Sequence, residues 1–167
     1  MAIKNKPKIT NREDINCLRS QMEQRAQWLS FIIDEAKSKG IDIDDICREA
    51  IYKVGCFRGA DIVAKSEDKG DLIEVAKYFR DHPNAIAFEK ELVTVTPERL
   101  EIRHHHCPLV SGWQKVGVDE ETISKYCEIA MRGDHGMFTN VKDAKFTLAS
   151  TIADGDSCCT LILDKEK

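Results

Sequence analysis

The run RHHHCP at residues 103–108 sets three imidazoles and a thiol ahead of a proline. Side chains of these types ligate metal ions, activate nucleophiles or decorate a solvated edge. In a β-strand alternate residues share a face, so His105 and Cys107 point one way while His104 and His106 point the other. Only one pair can address a given pocket. The pair chosen here is His105 with Cys107, whose thiol sits at the strand end beside Pro108. Two ligands to zinc and a Cys–His nucleophile pair are both geometrically open. For the histidines alone, a solvated edge beside a buried thiol is the plainer reading.

Further thiols follow. Cys127 falls mid-helix on an apolar face, where a free cysteine ordinarily packs and is inert. Its neighbourhood CEIAMRGDHG is richer: Asp134 follows by seven residues, two turns along the same face and about 10 Å of rise. Asp134 and His135 lie between Gly133 and Gly136, which reads as a flexible loop after a helix end. In ADGDSCC, Asp154 and Gly155 read as a turn and Asp156 as a turn residue, while Cys158 and Cys159 face opposite sides of a strand. Paired CxxC zinc spacing, Walker and dinucleotide glycine loops, GxSxG and HExxH are all absent from the sequence. Three cysteine-bearing segments can converge where a helix crosses a sheet.

The elements that must position these residues are legible as periodicities. Residues 12–39 repeat apolar side chains (Ile15, Leu18, Met22, Ala26, Leu29, Ile33) at helical spacing up to Gly40. A second helix starts at DIDD and extends to about Lys65, with Gly55 and Gly59 marking close packing or a bend. A short helix from Asp71 ends at HPN, residues 82–84. The period then becomes two: 86–95 and 99–106 flank TPE as a β-hairpin. A helix capped by Asp119 carries Ile123, Cys127, Ala130 and Met131 and stops at Gly133. Residues 146–153 and 157–163 form a second hairpin with a two-residue turn at Asp154 and Gly155. The fold class expected is α+β: N-terminal helices on one face of a four-stranded antiparallel sheet made of two hairpins, with a helix between the hairpins.

Composition narrows the function classes. The 167 residues, 42% hydrophobic and 32% charged, suit one domain (1–167), mainly helical over 1–83 and sheet-containing over 84–167. The net charge is −4, with basic and acidic side chains in balance over 1–83 and a small acidic excess over 84–167, and with no basic stripe for nucleic acid and no polybasic patch for a membrane. Seven cysteines, an odd number, behind a polar N-terminus suggest reduced thiols in a soluble cytoplasmic protein. The long first helix with Trp28 either packs inside the domain or pairs with a second copy in a homo-oligomer.

The C-terminal half resembles the L-2-amino-thiazoline-4-carboxylic acid hydrolase family over roughly residues 85–163. The resemblance rests on CP at 107–108, an aromatic at Trp113, the CE dipeptide of Cys127 and Glu128, a downstream Asp, and GDxxC at 155–159. It selects Cys107, Cys127, Asp134, Gly155, Asp156 and Cys159, the last rather than Cys158. The family often places an acid nearer the helical cysteine; here the acids are Glu128 and then Asp134. The family name implies hydrolytic opening of a thiazoline ring, by attack at an amidine-like carbon bearing sulfur and nitrogen.

Such chemistry needs a nucleophile, an acid and a cation for a substrate carboxylate. The expected roles are Cys107 as nucleophile, His105 as its base with His135 in reserve, and Asp134 or Asp156 handling protons. Arg103 or Arg132 would hold the carboxylate with Trp113 nearby, and Cys127 and Cys159 would complete the site. No cofactor is expected, although Cys107, Cys127 and Cys159 with His105 or His135 would make a tetrahedral zinc set. The competing class is a non-enzymatic small-molecule-binding or sensor domain similar in outline to the 4-vinyl reductase type.

Overall fold

Apolar periodicity in the first half produces helices as expected. In the computed structural model, which describes residues 2–64 and 66–166, α1 spans Glu13–Ser38 and α2 spans Asp44–Val63. The expected end of the second helix at Lys65 lies outside the described residues. Helix α3, Leu72–Asp81, is capped by the Asp71 carboxylate, which accepts the Ile73 and Glu74 amides. A single turn follows as α4, Asn84–Ala87, so the first strand starts later than its periodicity suggested. Strands β1 (Lys90–Val95) and β2 (Arg99–His104) form the first hairpin.

Two features of the next segment differ from expectation. Residues 108–115 form α5, Pro108–Lys115, whose proline occupies the first turn where its missing N–H costs nothing. Helix α6, capped by Asp119, runs Glu120–Phe138 and passes straight through Gly133 and Gly136. Asp134 and His135 are therefore helical residues and not loop residues. Strands β3 (Ala144–Ser150) and β4 (Cys159–Lys165) form the second hairpin, but a 3-10 turn at Ile152–Asp154 replaces the expected two-residue connection. Side chains hold that longer loop: the Thr151 hydroxyl donates to Asp154 (2.6 Å) and the Thr151 amide to Asp156 (3.0 Å), while Gly155 takes φ 92°.

The sheet order is β1-β2-β4-β3, antiparallel throughout. Leu100 and Ile102 of β2 and Leu161 and Leu163 of β4 point inward and are buried beneath α3 and α6. Glycines explain why α6 continues past Gly133. A Cβ on Gly55 would lie 2.0 Å from the Gly133 carbonyl oxygen, and one on Gly136 2.2 Å from that of Tyr52. The two helix backbones thus touch, and packing against α2 outweighs the intrinsic cost of glycine in α6.

Alanine favours a helix by about 1 kcal/mol over glycine, so Gly55→Ala and Gly136→Ala should stabilise an isolated helix yet destabilise the protein by about 1–3 kcal/mol through overpacking. At Gly133 the nearest foreign atom to a Cβ is the Ile51 methyl at 3.3 Å, so Gly133→Ala should change stability much less. Urea denaturation of the three variants checks the contrast; equal effects at all three would contradict the packing described.

Candidate functional site

The first residue of β1, Lys90, lies opposite His104 at the end of β2, and His104 lies opposite Cys159 at the start of β4. Directly opposed residues share a face, so the three form one row on the helix-covered side of the sheet. A register shift between Leu92 and Thr94 produces this pairing. Without it, the register set by Val95 and Leu100 would bring Lys90 opposite His105. His104 shares the inward face of Leu100 and Ile102, and His106, beyond the strand end, is buried as well. His105 turns to the neighbouring strand, its Nε2 2.7 Å from the Glu91 carboxylate.

Helix α6 crosses above this row and contributes Cys127 and Asp134. Lys90, His104 and Asp134 line a cavity of about 220 Å³ with Phe88, Leu109 and Met137. The Lys90 ammonium sits 4.7 Å from the centre of the Phe79 ring and 5.7 Å from that of Phe88. Burial depresses its pKa to about 8, against the opposing pull of the Asp134 charge. Burial likewise raises Asp134 to about 6, and Lys90 moderates the rise. His104 is held neutral, its pKa pushed well below the ordinary value by burial and then by Lys90.

Cys107 reaches the same region by another route. Strand β2 ends at His104, so strict alternation no longer governs residues 105–107, and Cys107 becomes the residue capping α5. Its backbone is clamped by Asn5: the Asn5 side chain accepts the Cys107 N–H and donates to the Cys107 carbonyl, both at 2.8 Å. Burial pushes the thiol up to about 11, while the nearby Val110 and Leu109 amides pull it down, although no capping hydrogen bond forms. Cys127 and Cys159 are raised further, by burial first and then by the proximity of Cys107. The Cys159 sulfur accepts the Ile152 amide at 3.3 Å. All three thiols are buried, lie close enough for a charge on one to disfavour charge on another, and feel Asp134.

A second cavity, of about 450 Å³, lies on the other side of α6, lined by Cys127, Arg132, His135 and Asp156 among others. The Arg132 guanidinium lies 5.2 Å from the Tyr52 ring centre, and the His135 ring meets Phe146 edge-on at 5.0 Å. The other expected residues lie away from the thiols. Arg103 occupies the face opposite Ile102 and pairs with Glu101 at 2.8 Å. Trp113 is a core residue whose indole donates to the Ala26 carbonyl at 2.8 Å. Among the described residues no three His, Cys, Asp or Glu side chains are arranged to hold a metal ion. The zinc set of Cys107, Cys127 and Cys159 with His105 or His135 thus does not fit, since both imidazoles point elsewhere.

Lys90, His104 and Asn5 belong to the candidate site, and sequence reasoning passed over them. Lys90 and His104 carried a signal in the hairpin pairing, hidden by the bulge. Asn5 carried none, because its contact spans about a hundred residues of chain.

The model of the L-2-amino-thiazoline-4-carboxylic acid hydrolase family matches residues 19–163. No curated protein matches the sequence. Among solved structures, the crystal structure of a trafficking protein particle complex subunit 3 from Naegleria fowleri, covalently bound to palmitic acid, is similar with a TM-score of 0.57. Its identity to this chain is 13%, and the match covers 89% of this chain and 97% of that one. At that identity the likeness is one of fold. Among the described residues no helix is long and apolar enough to cross a membrane.

Because the fold prefers neutral Asp134, that preference stabilises the protein fully below about pH 4, the unfolded carboxyl's value, and is lost as pH rises through about 6. Asp134→Asn should remove a pH-dependent loss on the order of 2–3 kcal/mol across that interval. Urea titrations at pH 4 to 7 measure it. Parallel curves for variant and wild type would show that Asp134 is not held in this way.

Proposed function

The chain belongs to the L-2-amino-thiazoline-4-carboxylic acid hydrolase family, and on that footing we propose that it opens a cyclic amidine or thiazoline ring of a small amino-acid-like substrate at a cysteine-centred site. It would be a hydrolase of carbon–nitrogen bonds other than peptide bonds or of the equivalent carbon–sulfur bonds. The observation carrying this reading is the gathering of Cys107, Cys127 and Cys159 around Asp134 from three separate segments.

Cys107 is the nucleophile in this scheme, because α5 begins at it and its thiol is the least raised of the three. Its sulfur adds to the ring carbon that bears sulfur and nitrogen. Asp134 receives the thiol proton and delivers it to the departing ring sulfur as the ring C–S bond breaks. The chain is left carrying an isothiourea on Cys107. Water then adds to that carbon, the Cys107–carbon bond breaks with return of a proton to the thiol, and the product is a urea with a free thiol. The net change is addition of one water. A carboxyl titrating near 6 suits this exchange, since it accepts and releases a proton near neutrality. His105, engaged by Glu91, gives up the role of base to Asp134 in this scheme.

A second reading has its own support. The similar solved structure holds palmitic acid covalently, and all three thiols here are kept un-ionised by burial. A binding or sensor domain that retains a small ligand without turnover follows from the same cavity.

With 2-amino-thiazoline-4-carboxylate as substrate, Cys107→Ser should lower kcat by about a thousandfold or more with an unchanged circular dichroism spectrum, and intact-mass spectrometry of quenched wild type should reveal the adduct on Cys107. The rate should climb through a midpoint near pH 6 in the wild type, as Asp134 ionises, and lose that limb in Asp134→Asn. Undiminished turnover in Cys107→Ser would reject the scheme, and tight binding without turnover would favour the sensor domain.

A further inference from the structure

Lys90 is the observation that the hydrolase scheme leaves unused. Among the described residues its ammonium makes no hydrogen bond or ion pair; its neighbours are the faces of Phe79 and Phe88. Beside it on the next strand, the Nε2 of His104 is buried without a hydrogen-bond partner. Both line the same cavity, whose wall also carries apolar side chains such as Phe88, Leu109 and Met137 and two further cations, Arg25 and Arg58. A buried cation and a buried ring nitrogen left unsatisfied together are costly for a fold, and each would gain most from an acceptor brought by a ligand.

We infer that Lys90 and His104 bind the carboxylate of a small amino-acid-like ligand, whose nitrogen-bearing end faces Asp134. Cross-strand neighbours have Cβ atoms roughly 4.5–5.5 Å apart, a spacing at which two donors can take the two oxygens of one carboxylate. Lys90 supplies a charge-assisted bond, and neutral His104 supplies a second donor in the tautomer protonated at Nε2. Asp134 across the cavity sets the other half of the selectivity. As the only carboxylate in a lining that otherwise carries Lys90, Arg25 and Arg58, it attracts an amine or amidine N–H. Phe88 and Leu109 leave an apolar surface for the body of the ligand between these two ends. Assigning the ligand as the substrate rests on the hydrolase reading; the carboxylate site itself does not.

Thiazolidine-4-carboxylate has the required carboxylate and ring N–H and lacks the amidine carbon that would be attacked, so its binding can be measured without turnover. Isothermal titration calorimetry on the full chain should show it binding at least tenfold more tightly than its carboxamide. Lys90→Met should erase that preference while leaving the carboxamide's affinity unchanged, and His104→Phe should reduce it. Equal affinity for acid and amide in the wild type, no binding of the acid, or undiminished acid binding in Lys90→Met would each overturn the inference. If Lys90→Met does not fold, the wild-type comparison of acid with amide decides alone. Selective carboxylate binding without ring opening would keep this site and remove the hydrolase. Ring opening abolished in Cys107→Ser but with an unchanged KM in Lys90→Met would do the reverse.

Discussion

Contact between the backbones of α2 and α6 is the constraint on which the site depends. Glycine at 55, 59 and 136 removes the side chains that would hold the two helices apart. Drawn against α2 in this way, α6 keeps its regular geometry for several residues beyond Gly133. Asp134 is consequently carried on a rigid element, two helical turns from Cys127, and its position over the sheet is set by packing. A loop at the same place would leave the carboxyl free to turn to water, where its pKa would be ordinary and its influence on the thiols small.

The electrostatics of the interior follow from that placement. Burial opposes the charged forms of Lys90, Asp134 and all three thiols, and the only relief among them is the attraction between Lys90 and Asp134. The result is a set of groups poised close to neutrality, with thiols protonated, His104 uncharged and the carboxyl midway through its range. Within that set Asp134 and Lys90 are the members that change charge near neutrality, whereas the thiols and His104 are held firmly uncharged. Cys107 differs from its two companions in facing the start of a helix, which tilts the balance among three otherwise similar sulfurs.

The overall architecture was largely legible from residue patterns, because period and capping act locally. The repeat from Ile15 to Ile33, the Asp71 and Asp119 caps and the alternation on either side of TPE each specify one element with little help from elsewhere. Reading failed where a distant contact overrode a local preference. Gly133 and Gly136 look like a helix stop in isolation, yet α2 turns them into a packing surface. The alternation expected for the three histidines held, but the inner face is the one shared by Leu100, Ile102 and His104, and β2 ends at His104, so Cys107 reaches the interior as the residue capping α5 and not by parity with His105. Pairs such as Asn5 with Cys107 leave no trace in spacing. The thiols themselves were identifiable, since cysteines at 107, 127 and 159 fall on a strand end, a helix face and a strand start that one α+β sheet can bring together.

The N-terminal segment ahead of α1 touches both halves of this interior. Asn5 grips the backbone of Cys107, while the amides of Lys8 and Ile9 reach the Glu89 carboxylate at 2.7 and 2.9 Å. Glu89, at φ 50° and paired in the interior with Arg19 at 3.0 Å, immediately precedes Lys90. A few residues of extended chain thereby tie the backbone of Cys107 to the strand that carries Lys90 into the cavity. Thermodynamic reciprocity then applies: whatever free energy an occupant gains from having this seam fastened, the seam gains in return from having the cavity filled.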